Sequence, residues 1–356
     1  RFRRTVQNFN QLLTYNKRFD GGHNFDLTLG HESFDRNYSS NSGMKNTQTA
    51  IGIKEFENFA TTSSLGGYSS DKRTEGFFGR VNYDFQGRYY LTASARRDGS
   101  SVFNEEVRWG NFYALGASWM VSEEAFMQAL PFVDDLKLRA SFGQVGQDNL
   151  GDFYISQPRY SLFPNAGDPG IFWSNLGNTA LTWETSSFWD ASLEFGLFNN
   201  MLDGSIEYWE RISDDLLYNV PLPLSEGLSE GPDNIASMVN SGLELSLRAN
   251  IIRQQDLRWS LTVNASTLNN EITDLPEPFV NGSKRWEEGR TRYDYFIYDY
   301  AGVDPDNGDA LFYMYEEIVD EETGLATYEP VLDGEGNHQT SNDYQEAGKA
   351  YVGKST

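Results

Sequence analysis

The chain of 356 residues has no cysteine, only three histidines and little positive charge: 28 Lys and Arg stand against 52 Asp and Glu, a formal charge of −24. Without cysteine there is no disulfide framework and no thiolate chemistry. His23, His31 and His338 are too scattered to make a metal-ligand cluster. The acidic balance excludes a sequence-independent nucleic-acid binder, which needs a basic surface to neutralise phosphates. No apolar run approaches the roughly 20 residues of a membrane-spanning helix, so any membrane crossing must be made by strands. The chain begins without Met and has no charged segment followed by an apolar one, which marks a mature chain or a piece of a longer one. Paired carboxylates abound, as chance predicts for so many acids, and no spacing picks out a catalytic pair. Neither catalysis nor a cofactor is expected.

Strand rhythm is what the chain does have. Phe77, Gly79, Val81, Tyr83 and Phe85 alternate with Phe78, Arg80, Asn82 and Asp84, a period of two rather than 3.6. After Gln86-Gly87 the chain returns with Tyr89, Leu91, Ala93 and Ala95 on one face and Arg88, Thr92, Ser94 and Arg96 on the other. Leu243, Leu245, Leu247, Ala249 and Ile251 oppose Glu244, Ser246, Arg248 and Asn250 in the same way. The pattern predicts strands near 5–18, 23–32, 76–85, 88–97, 110–121, 135–144, 187–198, 203–212, 242–251 and 257–268. A short helix is expected over 122–130, with Ser122 as N-cap and acids in its first turn.

Short connections at 20–22, 86–87, 199–202 and 253–256 alternate with long ones at 33–74, 145–186, 213–241 and from 269 onward. Outer-membrane barrels have this asymmetry, short periplasmic turns against long extracellular loops. A barrel strand needs only about 9–11 residues and shows lipid every second side chain, so a negative mean hydropathy does not exclude a membrane. The 20 Tyr, 24 Phe and 8 Trp suit interfacial girdles. A soluble carbohydrate-binding β-sandwich would alternate similarly, but has no reason to segregate its loop lengths.

The segments Gly79-Arg80-Val81-Asn82-Tyr83-Asp84-Phe85, Tyr89 to Ser94, Arg96-Arg97-Asp98-Gly99-Ser100-Ser101-Val102-Phe103, Trp109 to Phe112, Leu136 to Gly143, Leu181-Thr182-Trp183-Glu184-Thr185 and Gly302-Val303-Asp304-Pro305 follow one another in family order. Through them nearly the whole chain resembles the SusC-like TonB-dependent outer-membrane transporters. Gly146-Gln147-Asp148-Asn149 and Ser241 depart modestly from the family pattern.

The resemblance implies an all-β fold: a transmembrane antiparallel barrel of 22 strands in the outer membrane, multi-pass. Residues 1–356 would be part of that barrel domain, with the N-terminal plug and the final C-terminal strands outside it. It further implies import of glycan or peptide fragments with a SusD-like surface lipoprotein, and TonB acting through the plug. The alternative is an outer-membrane scaffold or receptor of the same fold, serving a surface or secretion assembly.

Arg80, Asn82, Asp84, Arg96, Arg139 and Arg248, with Lys137 and Glu244, are then expected to face the lumen or the plug. Among the loop aromatics, Tyr160, Trp173, Trp183, Trp286 and Tyr293 are candidates for stacking on ligand. Asp304, Asp306 and Asp309 have part of a calcium-loop pattern, but the glycine falls one position early and Tyr315 stands at position 12, so turn chemistry accounts for the segment. Arg97 to Ser101 has the composition of a phosphate loop without its lysine or following helix, and reads as a strand-end turn.

Overall fold

The computed structural model describes residues 1–165, 168–320 and 326–354. It divides into two units, 1–235 with 241–267, and 236–240 with 268 onward. The first is built on one antiparallel meander: β1 (Phe2–Phe19), β2 (His23–Gln48), β3 (Phe59–Phe85), β4 (Tyr89–Ser100), β5 (Trp109–Met120), β6 (Val133–Gln147), β7 (Glu184–Leu197), β8 (Leu202–Asp214), β9 (Ser237–Arg253) and β10 (Arg258–Ser266). Each of these ten strands pairs with the next in the chain, with β1 and β10 at the two ends of the series among the described residues, and an eleventh short strand, Asn269–Asp274, also pairs with β9.

Register puts like with like. The row Tyr89, Trp119, Leu138, Leu193, Ile206 crosses five strands, and the next row on the same face is Leu91, Ala117, Ala140, Ala191, Tyr208. This face is the more apolar, yet Leu29, Phe77, Leu91, Leu115, Leu138, Leu243, Trp259 and Leu261 on it are exposed. Hydrophobic side chains bared along a whole sheet face are the inverse of a water-soluble domain and fit a lipid solvent. Trp109 and Trp119 bracket the face on β5. Their separation is about 33 Å along the strand, or about 25 Å across a bilayer at a tilt near 40°, the height of a barrel's apolar band. Phe77 lies 6.4 Å from Trp109 at one level, and Tyr89 lies between Phe85 (6.2 Å) and Trp119 (6.3 Å) at the other.

Tight turns close one end. Gln86 (φ 55) and Gly87 (φ 68) both take the left-handed conformation in the three-residue connection between the paired Phe85 and Tyr89, and Asp84 accepts the Gly87 N–H at 3.0 Å. Phe198, Asn199 and Asn200 form a second left-handed turn. Asparagine tolerates this conformation; Phe198 is held there by stacking 5.8 Å from Phe132, while Asn200 donates its N–H to Asp134 at 2.8 Å.

Two sequence expectations fail here. The polar stretch 33–74 is not a loop: β2 and β3 remain paired from His23 with Phe85 out to Gln48 with Phe59. With water on both faces a strand needs no alternation, because the ladder satisfies the backbone whatever the side chains are. Rings of Tyr38 and Tyr68, 5.5 Å apart, add a cross-strand contact to the extension. The expected helix over 122–130 is two 3₁₀ turns, Val121–Glu123 and Ala125–Ala129, broken at an extended Glu124. Ser122 caps neither turn. Glu124 instead accepts from Tyr89 Oη (2.5 Å) and Trp119 Nε1 (3.1 Å), which draws the segment back onto the sheet.

At the other end the long connections pack on one another. Val102, Phe103, Ile155, Leu181 and Leu217 form a buried cluster with Val107, Leu150, Phe153 and Trp183 against it. Two small ribbons rise within these connections, Arg159–Asn165 with Asp168–Asn175 and Leu217–Pro221 with Glu230–Asn234.

The second unit holds short sheets, the largest made of Phe279–Asn281, Lys284–Trp286, Asp294–Ile297 and Ala350–Lys354. Its centre is the buried Glu287 carboxylate, which accepts from Tyr351 Oη (2.5 Å) and the Ala326 N–H (3.2 Å) with the Arg285 and Arg290 guanidiniums at 3.7 and 3.6 Å.

Candidate functional site

The face opposite the exposed hydrophobics carries the charged side chains. Arg80 Nε donates to Asn82 Oδ1 at 3.1 Å, and Thr92 Oγ1 donates to the same oxygen at 3.1 Å from the next strand. Asp84 accepts from the Asn24 amide on β2. Arg96 Nε lies 2.7 and 2.6 Å from the two Asp98 oxygens, its Nη2 reaches Glu32 at 3.1 Å, and its guanidinium sits 5.3 Å above the Phe78 ring. Phe78 can lie flat because Gly30 opposes it: a Cβ on Gly30 would stand 2.1 Å from Phe78 Cζ. Arg248 faces Thr262 across β9 and β10.

Arg139 is the centre of the densest group. Its three nitrogens address three carboxylates on two neighbouring strands: Asp190 at 3.7 Å, Glu194 at 3.6 Å and Glu207 at 2.8 Å. Lys137 stands 3.5 Å from Glu194, and Ser141 donates to Asp190, which is itself buried. Two cations against three carboxylates leave this group one negative charge. Most of the group's charge is therefore compensated in place, with a residual negative character.

Of the six polar positions expected from the sequence, all lie on this face. The acids that complete them, Glu32, Asp98, Asp190, Glu194 and Glu207, are not singled out by sequence. Asp98 lies two residues from Arg96 on the same strand, whereas the other four are brought in only by inter-strand register, such as Lys137 opposite Glu194.

The five aromatic candidates separate into two kinds. Tyr160 and Trp173 are exposed and form a cross-strand pair with ring centroids 4.1 Å apart. Tyr293 is exposed as well. Trp183 instead packs between Phe103 (5.4 Å) and Phe112 (5.6 Å) and donates Nε1 to the Arg108 carbonyl at 2.9 Å. Trp286 is 4% exposed, so its ring has no free face to offer. These two rings are engaged in packing that no local sequence pattern discloses, unlike Tyr160, Trp173 and Tyr293.

The loop Asp304 to Asp309 is built by turn hydrogen bonds: Asp304 Oδ1 accepts the Asp306 N–H at 2.9 Å, Asn307 Oδ1 accepts the Asp309 N–H at 2.8 Å, and Asp309 accepts from Asn342 at 3.0 Å. Among the described residues no three His, Asp or Glu side chains are grouped so as to hold a metal ion. In the second unit, burial followed by the Asp299 hydrogen bond pushes the Tyr315 phenol up to about 12. Burial and a carboxylate partner likewise raise Tyr328, beside Glu317, and Tyr351, beside Glu287.

Comparison with known proteins agrees with this geometry. The family described as "TonB dependent receptor-like, beta-barrel" matches residues 1–350. TonB-dependent receptor P39 of Formosa agariphila is 36% identical over 266 residues, covering 72% of this chain and 24% of the relative. TonB-dependent receptor SusC of Bacteroides thetaiotaomicron is 30% identical over 350 residues, covering 92% of this chain and 33% of the relative. The chain thus spans about a quarter to a third of those receptors' length. Among solved structures, the RagAB peptide importer in its "closed-closed" state superposes with a TM-score of 0.85 at 25% identity, over 99% of this chain and 38% of that one. The RagAB peptide transporter superposes with 0.80 at 26% identity, over 92% and 37%. These relatives carry the names of receptors and importers rather than enzymes. Among the described residues no helix is long and apolar enough to cross a membrane, which says nothing of crossing by strands. The chain belongs to the TonB-dependent receptor β-barrel family, as a SusC-like, non-enzymatic part of an outer-membrane barrel.

Proposed function

We propose that this chain is part of the barrel wall and the outer loops of a nutrient importer that takes up glycan or peptide fragments. The observation that carries the reading is the two-faced sheet, exposed apolar side chains on one side and a compensated charge ladder on the other, within a family match over residues 1–350. Strand edges left unpaired in hydrocarbon are not tolerated, so β1 and β10 pair with further strands of a larger barrel. Arg80, Asn82, Asp84, Arg96, Arg139 and Arg248 then line the lumen or hold a plug domain, and a TonB-type protein acts on that plug. A SusD-like surface lipoprotein closes over the long loops. Tyr160, Trp173 and Tyr293 retain accessible rings and are the residues proposed to meet substrate. A peptide cargo is favoured by the likeness to the RagAB importer over nearly the whole chain.

The test is uptake by cells carrying the full-length protein. Labelled oligopeptides and oligosaccharides are offered with and without a functional TonB. Accumulation of one class that disappears with either the receptor or TonB is expected. Uptake indifferent to both would sink the reading.

A further inference from the structure

The apolar face of the main sheet carries an arginine. Register aligns Gln11, His31, Phe77, Arg97 and Asn111 in one row across β1 to β5, on the same side as Leu29, Leu91 and Leu115. Along β4, Leu91, Ala93, Ala95 and Arg97 point one way and are exposed, while Arg96 and Asp98 point the other. The row lies at the level of Phe77 and Trp109, at the end remote from the tight turns. In an outer-membrane barrel that end faces outward, so the row sits in the interfacial belt of the outer leaflet.

Arg97 has no protein anion to meet. On the opposite face Arg96 is paired with Asp98 and Glu32, and Arg139 with three acids. Among the described residues Arg97 instead contacts the Trp109 ring, its guanidinium 5.2 Å from the centroid. Glu75, one row further out on the same face, is taken by His31 at 3.1 Å. The indole is fixed in turn, because it lies on Gly99, where an added Cβ would stand 3.0 Å from the ring. Asn111, the cross-strand partner of Arg97, is exposed beside it. A guanidinium turned toward lipid is costly unless an anion meets it, and its planar fork fits a phosphate bidentately.

Inward of this row the surface is hollowed. In the next row Gly79 and Ala95 stand between Leu29 and Tyr113, and in the row after that Ala93 stands between Val81 and Leu115. A groove of about 620 Å³ opens beside Phe77, Gly79, Ala95, Arg97 and Tyr113, and another of about 630 Å³ follows at Val81, Ala93 and Leu115. Val81 and Leu115 are two strand spacings apart, about 9.6 Å, which leaves the width of one hydrocarbon chain between them. Arginine and track are continuous along β4.

We propose that this patch is a binding site for a phosphate-bearing lipid of the outer leaflet. Arg97 and Asn111 hold the phosphate beside Trp109, and one acyl chain runs inward along Ala95 and Ala93. A free phosphate would engage the arginine and leave the track empty, so the track is what selects a lipid. The site lies on the outside of the wall, away from lumen and loops, and does not depend on what the barrel imports.

The test places the full-length protein in phosphatidylcholine nanodiscs doped with lipid A, or with lipid A stripped of its phosphates. Lipids retained on release are counted by native mass spectrometry for wild type, R97Q, R97K and A95F, each shown to be folded by heat-modifiable migration. Wild type should retain the phosphorylated lipid, and R97Q about tenfold less of it, the loss of one charge-assisted pair. R97K keeps the charge without the fork and should fall between. A95F blocks the track with Arg97 in place and should also lose occupancy. The dephosphorylated lipid should be retained no better than phosphatidylcholine. Equal retention by wild type and R97Q, or of both forms of the lipid, overturns the site. Loss in R97Q with full retention in A95F reduces the patch to a phosphate contact and overturns the lipid assignment. A doubled protein mass that R97Q abolishes gives the face to a second copy and overturns it as well.

Discussion

Replacing Trp183 distinguishes a packing role from a ligand-stacking one. The indole lies between Phe103 and Phe112 and donates to the Arg108 carbonyl at 2.9 Å, so Trp183→Ala empties the middle of the loop cluster and orphans an acceptor. Burying a tryptophan is worth about 3–5 kcal/mol on truncation. The ring is only part-buried, which puts the expected loss near 3 kcal/mol, or about a 100-fold rise in local opening. Trp183→Phe keeps most of the contact area and loses the hydrogen bond, about 1 kcal/mol and roughly fivefold. Hydrogen exchange on the full-length protein in detergent reads both effects on peptides covering 101–108, 148–158 and 178–183. The core of β4 and β5 should keep its protection, because the ladder there does not depend on the cluster. Unchanged exchange in Trp183→Ala, combined with a loss of substrate affinity, would refute the packing argument and restore the ring to the binding surface.

Arg139→Met should destabilise the folded barrel by about 2 kcal/mol, because Asp190 is buried and loses a cation while Glu207 loses a 2.8 Å partner. Adding Asp190→Asn should recover part of that loss in urea unfolding, and strict additivity of the two would deny the coupling. Gly30→Ala drives a Cβ to 2.1 Å from Phe78 Cζ and should cost about 1–3 kcal/mol, with Phe78→Ala in the same chain removing the clash component. In the second unit, Tyr315, Tyr328 and Tyr351 hold their protons more tightly folded than unfolded. Their contribution to stability is complete below about pH 10, the unfolded value, and is lost as pH rises from there, through about 12 for Tyr315 and later for the other two. Absorbance at 295 nm should show most tyrosines ionising near pH 10 and a late group ionising only as this unit opens; a single wave near 10 with the unit intact contradicts the assignment.

The strands that cross the lipid were legible because two solvents meet at them. Leu243 to Ile251 and Phe77 to Phe85 alternate because hydrocarbon on one side and water on the other dictate every second residue. Where both sides are wet that dictation stops. Ser39 to Asn46 carry no alternation and read as a loop, yet the backbone ladder runs through them unbroken apart from a shift between Met44 and Lys45. Composition registers what side chains face, whereas pairing in water is decided by main-chain hydrogen bonds that every residue but proline supplies. The same limit governs the site. Arg139 could be placed on the polar face by parity, but Asp190, Glu194 and Glu207 lie 51 to 68 positions further along and converge on it only through the registers of β6 with β7 and β7 with β8. A one-residue slip in either pairing would turn those carboxylates toward lipid. The charge ladder and the lipid face are therefore one constraint: the register that keeps Leu138, Leu193 and Ile206 in one row also keeps Arg139 among its acids.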